Sequence, residues 1–502
     1  MQNLSDKLYN VDSIVQLEQI AINQFNIPAY ELMKRAGAAV FDILKTRYPQ
    51  HQKILILCGA GNNAGDGYVV AKLAKQSGFD VHLVSLIDPE SLKNEALLAY
   101  NDWSDLAVND KADFSLIEKA DIVIDALLGT GLTSDVSAVW AEWIALVNAS
   151  DKPVISIDIP SGLLADTGVI AGAAIEADVT VSFIGLKQGM FTAQAKDVCG
   201  EIVFDDLGLP AEVYSSVECK TRLLNAVDYS LLPKRKASSH KGRFGHVLIV
   251  GGNTGMPGAV ILAATAALRT GAGLVTIITV EKNLQAIAAA VPEAMVKTYE
   301  INGENSVAIS KLLPESFIDN ITHVAIGMGL GQDEWSLKML QHCVQLKKPM
   351  LLDADALNLV ADNDIKISSP LVITPHPGEA GRLLSVNASE VQKNRFDAVK
   401  KLHALFRDSE SCSVILKGSG TLIFDGQEVK ICNQGNAAMS APGMGDVLSG
   451  IVIALMAQNI KIFDAAELAV CLHASAAKLV TGDNTRGLLA SDVVTALPEV
   501  LQ

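Results

Sequence analysis

Residues 53–76 read K-I-L-I-L-C-G-A-G-N-N-A-G-D-G-Y-V-V-A-K-L-A-K-Q. The first six are a short continuous apolar run, suited to a strand buried on both faces. A glycine loop spans residues 59–67, and a helix is expected over Tyr68–Gln76. Strand, glycine turn and helix in that order aim bare backbone N–H groups at an anion, and the helix dipole adds about half a positive charge there. No Gly-Lys-Ser/Thr closes the loop, so it is not a P-loop. Asn62, Asn63 and Asp66 also place carbonyl and carboxylate oxygens where the dinucleotide fingerprint has none. Such oxygens suit a hard cation or a ribose hydroxyl. The purely structural alternative is a glycine turn with asparagine in left-handed conformations.

The same alternation continues on either side. Helical spacing (Leu17, Ile20, Ala21, then Leu32, Ala36, Val40) precedes it. Apolar runs at Val81–Leu86, Asp121–Ala126, Pro153–Asp158 and Val179–Phe183 follow. Helix-like segments separate most of them, so the sheet is expected to be mostly parallel. After the polar, basic stretch P-K-R-K-A-S-S-H-K-G at 233–242, a second block begins with the strand Val247–Val250. Its further strands are expected at Leu274–Val280, His323–Gly327, Pro349–Asp353, Leu371–Thr374 and Ser413–Lys417. A hairpin joins Thr421–Phe424 to Val429–Cys432 across Asp425-Gly426, and helices at Gly445–Met456 and Phe463–Val480 close the chain. The expected organisation is a domain at 1–215, a linker at 216–244 and a domain at 245–502, all α/β.

Bulk properties narrow the function. A chain of 502 residues exceeds one ordinary core. With 49% hydrophobic and 19% charged residues it suits a globular α/β enzyme, and a net charge of −16 argues against nucleic-acid or anionic-membrane binding. The seven cysteines form no C-x-x-C pair, which argues against a disulfide framework or structural zinc. Met1–Asn10 carries charges and no apolar signal region. The apolar stretch Ala259–Val280 is split by Arg269 and a Thr270–Gly273 breaker, so it reads as helix then strand rather than a membrane span. A reducing, cytoplasmic setting is expected, as is a homo-oligomer.

In the first block, two further loops follow strands: L-L-G-T-G-L-T-S-D at 127–135 and I-P-S-G at 159–162. Asp125 and Asp158 could simply cap turns. Adjacent parallel strands would nevertheless bring Asn63, Asp125 and Ser161 to one sheet edge. Three oxygen donors without cysteine or histidine suit an alkali or alkaline-earth ion better than zinc.

G-A-G-N-N-A-G-D-G, D-A-L-L-G-T-G and S-I-D-I-P-S-G resemble the signature of the NAD(P)H-hydrate epimerase family over roughly residues 1–215. The resemblance implies a Rossmann-like three-layer fold, bound potassium, and interconversion of the R and S epimers of hydrated nicotinamide cofactors. It places the potassium ligands at Asn63, Asp125 and Ser161. Hydrate contacts would fall on Asn62, Asn63, Ala64, Gly65 and Asp66. They would continue along Gly129, Thr130, Gly131, Leu132, Thr133, Ser134 and Asp135, and include Asp158. Ala64 stands where the family usually has glycine, and a modest effect on activity is expected. Inverting a carbon that bears a hydroxyl and a ring nitrogen needs hydroxide loss or ring opening and return on the other face. Both routes need a proton-transfer group, and Asp158 is the candidate.

In the second block, A-P-G-M-G-D-V-L-S-G at 441–450 runs from a glycine loop into an apolar helix. It sets Asp446 at an anion-binding helix start, where a carboxylate can take a proton from a hydroxyl attacking a phosphoryl group. Asp is also a favoured cap residue, which is the plainer alternative. Around it fall H-P-G-E-A at 376–380, K-G-S-G-T at 417–421 and G-M-G-L-G at 327–331. His376 is either a satisfied surface histidine or a substrate contact.

This set resembles the ribokinase-like superfamily and, more closely, its NAD(P)H-hydrate dehydratase branch over about residues 225–500, with G-G-N-T-G-M-P-G-A at 251–259 and D-A-D-A-L at 353–357. Pro442 stands where alanine or serine is common. The resemblance implies that Asp446 deprotonates the hydrate's hydroxyl for attack on a nucleotide's terminal phosphate, after which phosphate leaves. Lys417, Gly418, Ser419, Gly420 and Thr421 would hold the nucleotide, with Asn436, Gly443, Met444 and Gly445. Gly329, His376 and Asp446 would contact the hydrate. Magnesium would accompany the phosphates, and ADP, used by bacterial members where eukaryotic ones use ATP, is the expected donor. Two other readings compete with a bifunctional repair enzyme. One is a vitamin or sugar kinase carrying a regulatory sensor; the other makes the first block a non-catalytic binding module.

Overall fold

The structure, a computed structural model, describes residues 4–298 and 314–501. It divides into two compact units, Met1–Leu223 and Leu224–Gln502. Of the amino-terminal stretch Met1–Asn10, residues 1–3 lie outside the described residues, and Lys7–Tyr9 form a strand. The expected linker, 216–244, carries the strand Thr221–Leu223 and two 3-10 turns, Tyr229–Leu231 and Lys241–Phe244.

Among the described residues of the first unit, a six-stranded parallel sheet runs in the order Asp80–Ser85, Lys53–Cys58, Ile122–Ala126, Val154–Ile157, Val179–Phe183 and Glu201–Asp205. The order reverses between Lys53–Cys58 and Ile122–Ala126, and the carboxyl ends at such a reversal form a natural ligand crevice. Helices Val11–Phe25 and Ala29–Arg47 cover one face through Leu17, Ala21, Leu32, Ala36 and Val40.

One element begins earlier than the sequence pattern implies. The helix expected from Tyr68 starts at Asn62, so Asn62–Gly67 are helical and only Gly61, at φ +82°, makes the turn. Glycine inside a helix costs about 0.5–1 kcal/mol relative to alanine. Packing explains Gly67: a Cβ there would lie 2.7 Å from Ala126 Cβ and 2.9 Å from Cys58 Sγ. Its glycine lets the helix press on the sheet and carries no loop function.

In the second unit, parallel strands run in the order Met295–Thr298, Leu274–Thr279, His246–Val250, His323–Ile326, Met350–Leu352, Leu371–Ile373 and Cys412–Leu416. The antiparallel hairpin Thr421–Phe424 and Val429–Cys432 extends this edge. Its turn is held by Asp425, whose Oδ1 accepts from the N–H groups of Gln427 and Glu428 at 2.9 Å. Strand Met350–Leu352 ends before Asp353, because Ala354 adopts φ +47° and turns the chain.

Helix Met444–Ala457 is buried nearly all round against helix Pro257–Thr270. A Cβ on Gly450 would lie 2.2 Å from the Ala263 carbonyl oxygen and 2.8 Å from Ala266 Cβ. Gly450→Ala should therefore destabilise the second unit by about 1–3 kcal/mol, overpacking outweighing the smaller gain in helix propensity. Thermal unfolding checks this, and an unchanged or raised midpoint would contradict the close approach. Among the described residues no helix is long and apolar enough to cross a membrane.

Candidate active sites

In the first unit, a cavity of about 670 Å³ opens at the strand-order reversal. Asn62, Asn63, Asp66, Gly129–Ser134 and Asp158 line it. Ala64 and Gly65 do not; they are buried in the helix, Ala64 in the apolar core, and Asp135 lies off the wall. The methyl of Ala64 thus points into packing and not at a ligand.

Asn63, Asp125 and Ser161 are joined through one hydrogen-bonded chain. Asn63 Nδ2 donates to the Leu128 carbonyl at 2.8 Å, Leu128 N–H donates to Ser161 Oγ at 2.8 Å, and Ser161 Oγ donates to Asp125 Oδ1 at 2.5 Å. Asp125 is fully buried and also accepts from Ser156 Oγ at 2.7 Å and from the Ser161 N–H at 2.9 Å. Burial pushes its carboxyl up against those bonds. Asn63 Oδ1 is buried with no partner among the described residues. An orphan oxygen linked through Leu128 and Ser161 to a buried carboxylate is a donor set suited to a hard monovalent cation.

Asp158 sits at φ +65° in a tight turn closed by the Ile159 N–H to the Ile157 carbonyl at 2.8 Å. The neighbouring strand ends in a second such turn at Ile184, φ +64°, closed by the Gly185 N–H to the Phe183 carbonyl at 2.6 Å. A β-branched residue in this region is strained, and such strain gathers at functional sites. Asp158 Oδ1 accepts from the Phe183 N–H at 3.1 Å and from Lys187 Nζ. Glu18, Asp66 and Glu95 share the cavity wall. Burial, then the charges of Asp158 and Glu18, push the Asp66 carboxyl well above its usual range. The sequence patterns did not single out Lys187, Glu18 or Glu95, which stand on apolar strand ends and helix faces. A lone lysine in the run S-F-I-G-L-K was the one available signal.

In the second unit, Asp446 lies in the first turn of helix Met444–Ala457, behind Gly443 at φ +84°. Burial, then the charge of Asp353, raises its pKa to about 7. Lys417 Nζ donates to Asp353 Oδ1 at 2.7 Å and lies 3.7 Å from Glu379 Oε2. Burial works against the Lys417 charge, but Asp353 and Glu379 hold its pKa above the ordinary value. Ser449 Oγ donates to Asp353 Oδ2 at 2.8 Å, tying this pair to the Asp446 helix. A Cβ on Gly445 would come within 3.3 Å of Lys417 Nζ, so the lysine lies directly over the helix start.

Some of the other expected contacts also bond within the protein. His376 Nδ1 accepts from the Gly378 N–H at 2.9 Å, capping its own helix, while Glu379 Oε2 accepts from the His376 N–H at 2.7 Å. Half of its side chain stays exposed. Asn436 caps a 3-10 turn and donates to Thr481 Oγ1 at 3.2 Å and the Asn484 carbonyl at 2.9 Å. Gly329 has φ +56°, and a Cβ there would meet the Met256 carbonyl at 2.9 Å. Loop Lys417–Thr421 is supported by Arg395, fully buried, which donates to the Leu416 carbonyl at 3.0 Å and the Lys417 carbonyl at 3.3 Å. The sequence patterns left Asp353, Glu379 and Arg395 without a role.

Fold and sites together define a two-unit α/β enzyme, a Rossmann-like unit joined to a ribokinase-like unit. Comparison with known proteins agrees. The NAD(P)H-hydrate dehydratase family model matches residues 247–499, and the YjeF-related protein N-terminus model matches residues 29–189. A bifunctional NAD(P)H-hydrate repair enzyme of Vibrio cholerae is 42% identical over 99% of both chains. Its Escherichia coli counterpart is 40% identical over 98% of this chain and 94% of its own. A solved ADP/ATP-dependent NAD(P)H-hydrate dehydratase from Bacillus subtilis, co-crystallised with ATP/Mg2+, is 30% identical over 54% of this chain and 94% of its own, with a TM-score of 0.47. The chain belongs to the bifunctional NAD(P)H-hydrate repair family.

Proposed function

We propose that the two units act in series on one pool of damaged cofactor. The Met1–Leu223 unit interconverts the R and S hydrates of NADH and NADPH. The Leu224–Gln502 unit dehydrates the S epimer at the expense of ADP, releasing AMP and phosphate. The observation that carries this reading is the placement of Asp446 and Asp158. Each unit holds one carboxylate in a glycine-framed or strained turn at its sheet's carboxyl edge.

In the dehydratase unit, Asp446 takes the proton of the hydrate's hydroxyl as that oxygen attacks the terminal phosphorus. Hydroxide leaves poorly and phosphate leaves well, so once the hydroxyl is phosphorylated, phosphate departs from that carbon, the neighbouring carbon gives up a proton to water, and the ring double bond is restored. Lys417 sits among Asp353, Glu379 and Asp446, an excess of negative charge that would repel a nucleotide. The glycine-framed helix start offsets part of it. Magnesium bound with the nucleotide would supply the rest of the compensation, with one or two of the carboxylates Asp353, Glu379 and Asp446 to hold it.

In the epimerase unit, Asp158 handles the proton while the leaving oxygen is held against the Gly129–Ser134 loop. Asn63 Oδ1, Asp125 and Ser161 would hold potassium, which would supply fixed positive charge to the epimerase site. Replacing potassium by choline should slow R/S interconversion by tenfold or more, leaving nucleotide-dependent dehydration of pure S hydrate at its normal rate in the presence of magnesium. Equal interconversion in both salts would remove the ion from this site. The free cysteines, all buried except the half-buried Cys219, are consistent with a reducing cytoplasmic setting.

A further inference from the structure

Lys187 is only 1% exposed, though it borders the epimerase cavity. Its ammonium has three donors, and three acceptors meet them: Asp158 Oδ1, Ser182 Oγ at 3.1 Å and the Phe183 carbonyl at 3.0 Å. Among the described residues lining the cavity it is the one cation, set against Glu18, Asp66, Glu95 and Asp158.

Its acceptors lie on both strained turns. Asp158 is the left-handed residue of the first, and the Phe183 carbonyl closes the second around Ile184. Strained turns of this kind persist only where surrounding contacts over-determine them. Lys187 supplies such contacts to the two adjacent strand ends at once. The result at Asp158 is asymmetric. Oδ1 is taken by Lys187 Nζ and the Phe183 N–H, while Oδ2 has no donor among the described residues and Asp158 lines the cavity.

We infer that Lys187 is a positioning residue for epimerisation, clasping the Asp158 and Ile184 turns so that Asp158 presents one fixed carboxylate oxygen to the hydrate. With all three donors used inside the protein, the lysine itself does not reach the substrate. Its part is geometric and electrostatic: it holds the carboxylate in one orientation and supplies the buried countercharge. This rests on the epimerase reading of the unit.

The test is steady-state kinetics of R/S interconversion by Lys187→Met in the full-length chain. A displaced catalytic group costs about 10²-fold in turnover. We expect kcat to fall by about that factor, with KM within threefold of the wild-type value. Dehydration of pure S hydrate in the same sample should be unchanged, which controls for intact protein. Ser182→Ala removes one acceptor without burying a charge, and kcat should fall three- to tenfold at constant KM. If Lys187→Met does not fold, Ser182→Ala decides alone. A kcat within threefold for Lys187→Met overturns the inference, as does an unaltered Ser182→Ala or a KM that moves in step with kcat. A wild-type chain that fails to interconvert the hydrates instead sinks the epimerase reading itself.

Discussion

Asp446→Asn should abolish nucleotide-dependent dehydration of the S hydrate, lowering kcat by about 10²–10⁴-fold, the usual worth of a positioned general base. R/S interconversion should continue at the wild-type rate. Asparagine keeps the shape and the helix start but cannot accept the proton. The environment makes this carboxyl a tuned base: burial first, then Asp353, raise its pKa to about 7. Wild-type dehydration should accordingly rise with pH through about 7, since only the ionised form is competent. The residual activity of the asparagine variant should lack that limb. Stability carries the opposite sign. Between about pH 4 and 7 the unfolded chain has released this proton and the folded chain has not, so wild-type stability falls as pH rises across that window. Asp446→Asn should lose that component of the fall, so its unfolding midpoint gains on the wild type from pH 5 to 8. An unchanged rate of S-hydrate repair would remove Asp446 from the mechanism.

Asp158→Asn should give the complementary phenotype, with interconversion lost by about 10²–10⁴-fold and dehydration of pure S hydrate intact. Asparagine tolerates the left-handed backbone that Asp158 adopts, so the turn should survive. The ion pair does not survive. Lys187 is left buried without its countercharge, and removing one member of a buried pair costs about 3–5 kcal/mol. Unfolding of the first unit must therefore be followed beside activity. A folded variant with full-rate interconversion would exclude Asp158.

Much of this fold is legible in the sequence. Lys53–Cys58, Val179–Phe183 and the hairpin at Thr421–Cys432 stand where the apolar runs place them, because strands buried on both faces leave a continuous signal. The start of the Asn62 helix does not, because Gly65 and Gly67 look like loop residues until the neighbouring helix and strand that press on them are known. Glycine loops and a family resemblance point to Asp446, Asp158 and the Asn63–Asp125–Ser161 set. The sequence gives no hint that His376 and Asn436 spend their polar atoms on caps. Arg395 is equally silent and Lys187 shows only as a lone lysine in an apolar run, since the role of a buried cation is set by the carbonyls and carboxylates that surround it.

The central claim is that one chain both interconverts the hydrates and dehydrates the S form. It is tested most directly by following reduced-nicotinamide absorbance in a mixture of R and S hydrates, with ADP, potassium and magnesium. Full recovery, dependent on the nucleotide, is the predicted result. Recovery that stops at the S fraction would contradict the epimerase half, and a stable phosphorylated product without recovery would return the second unit to a kinase.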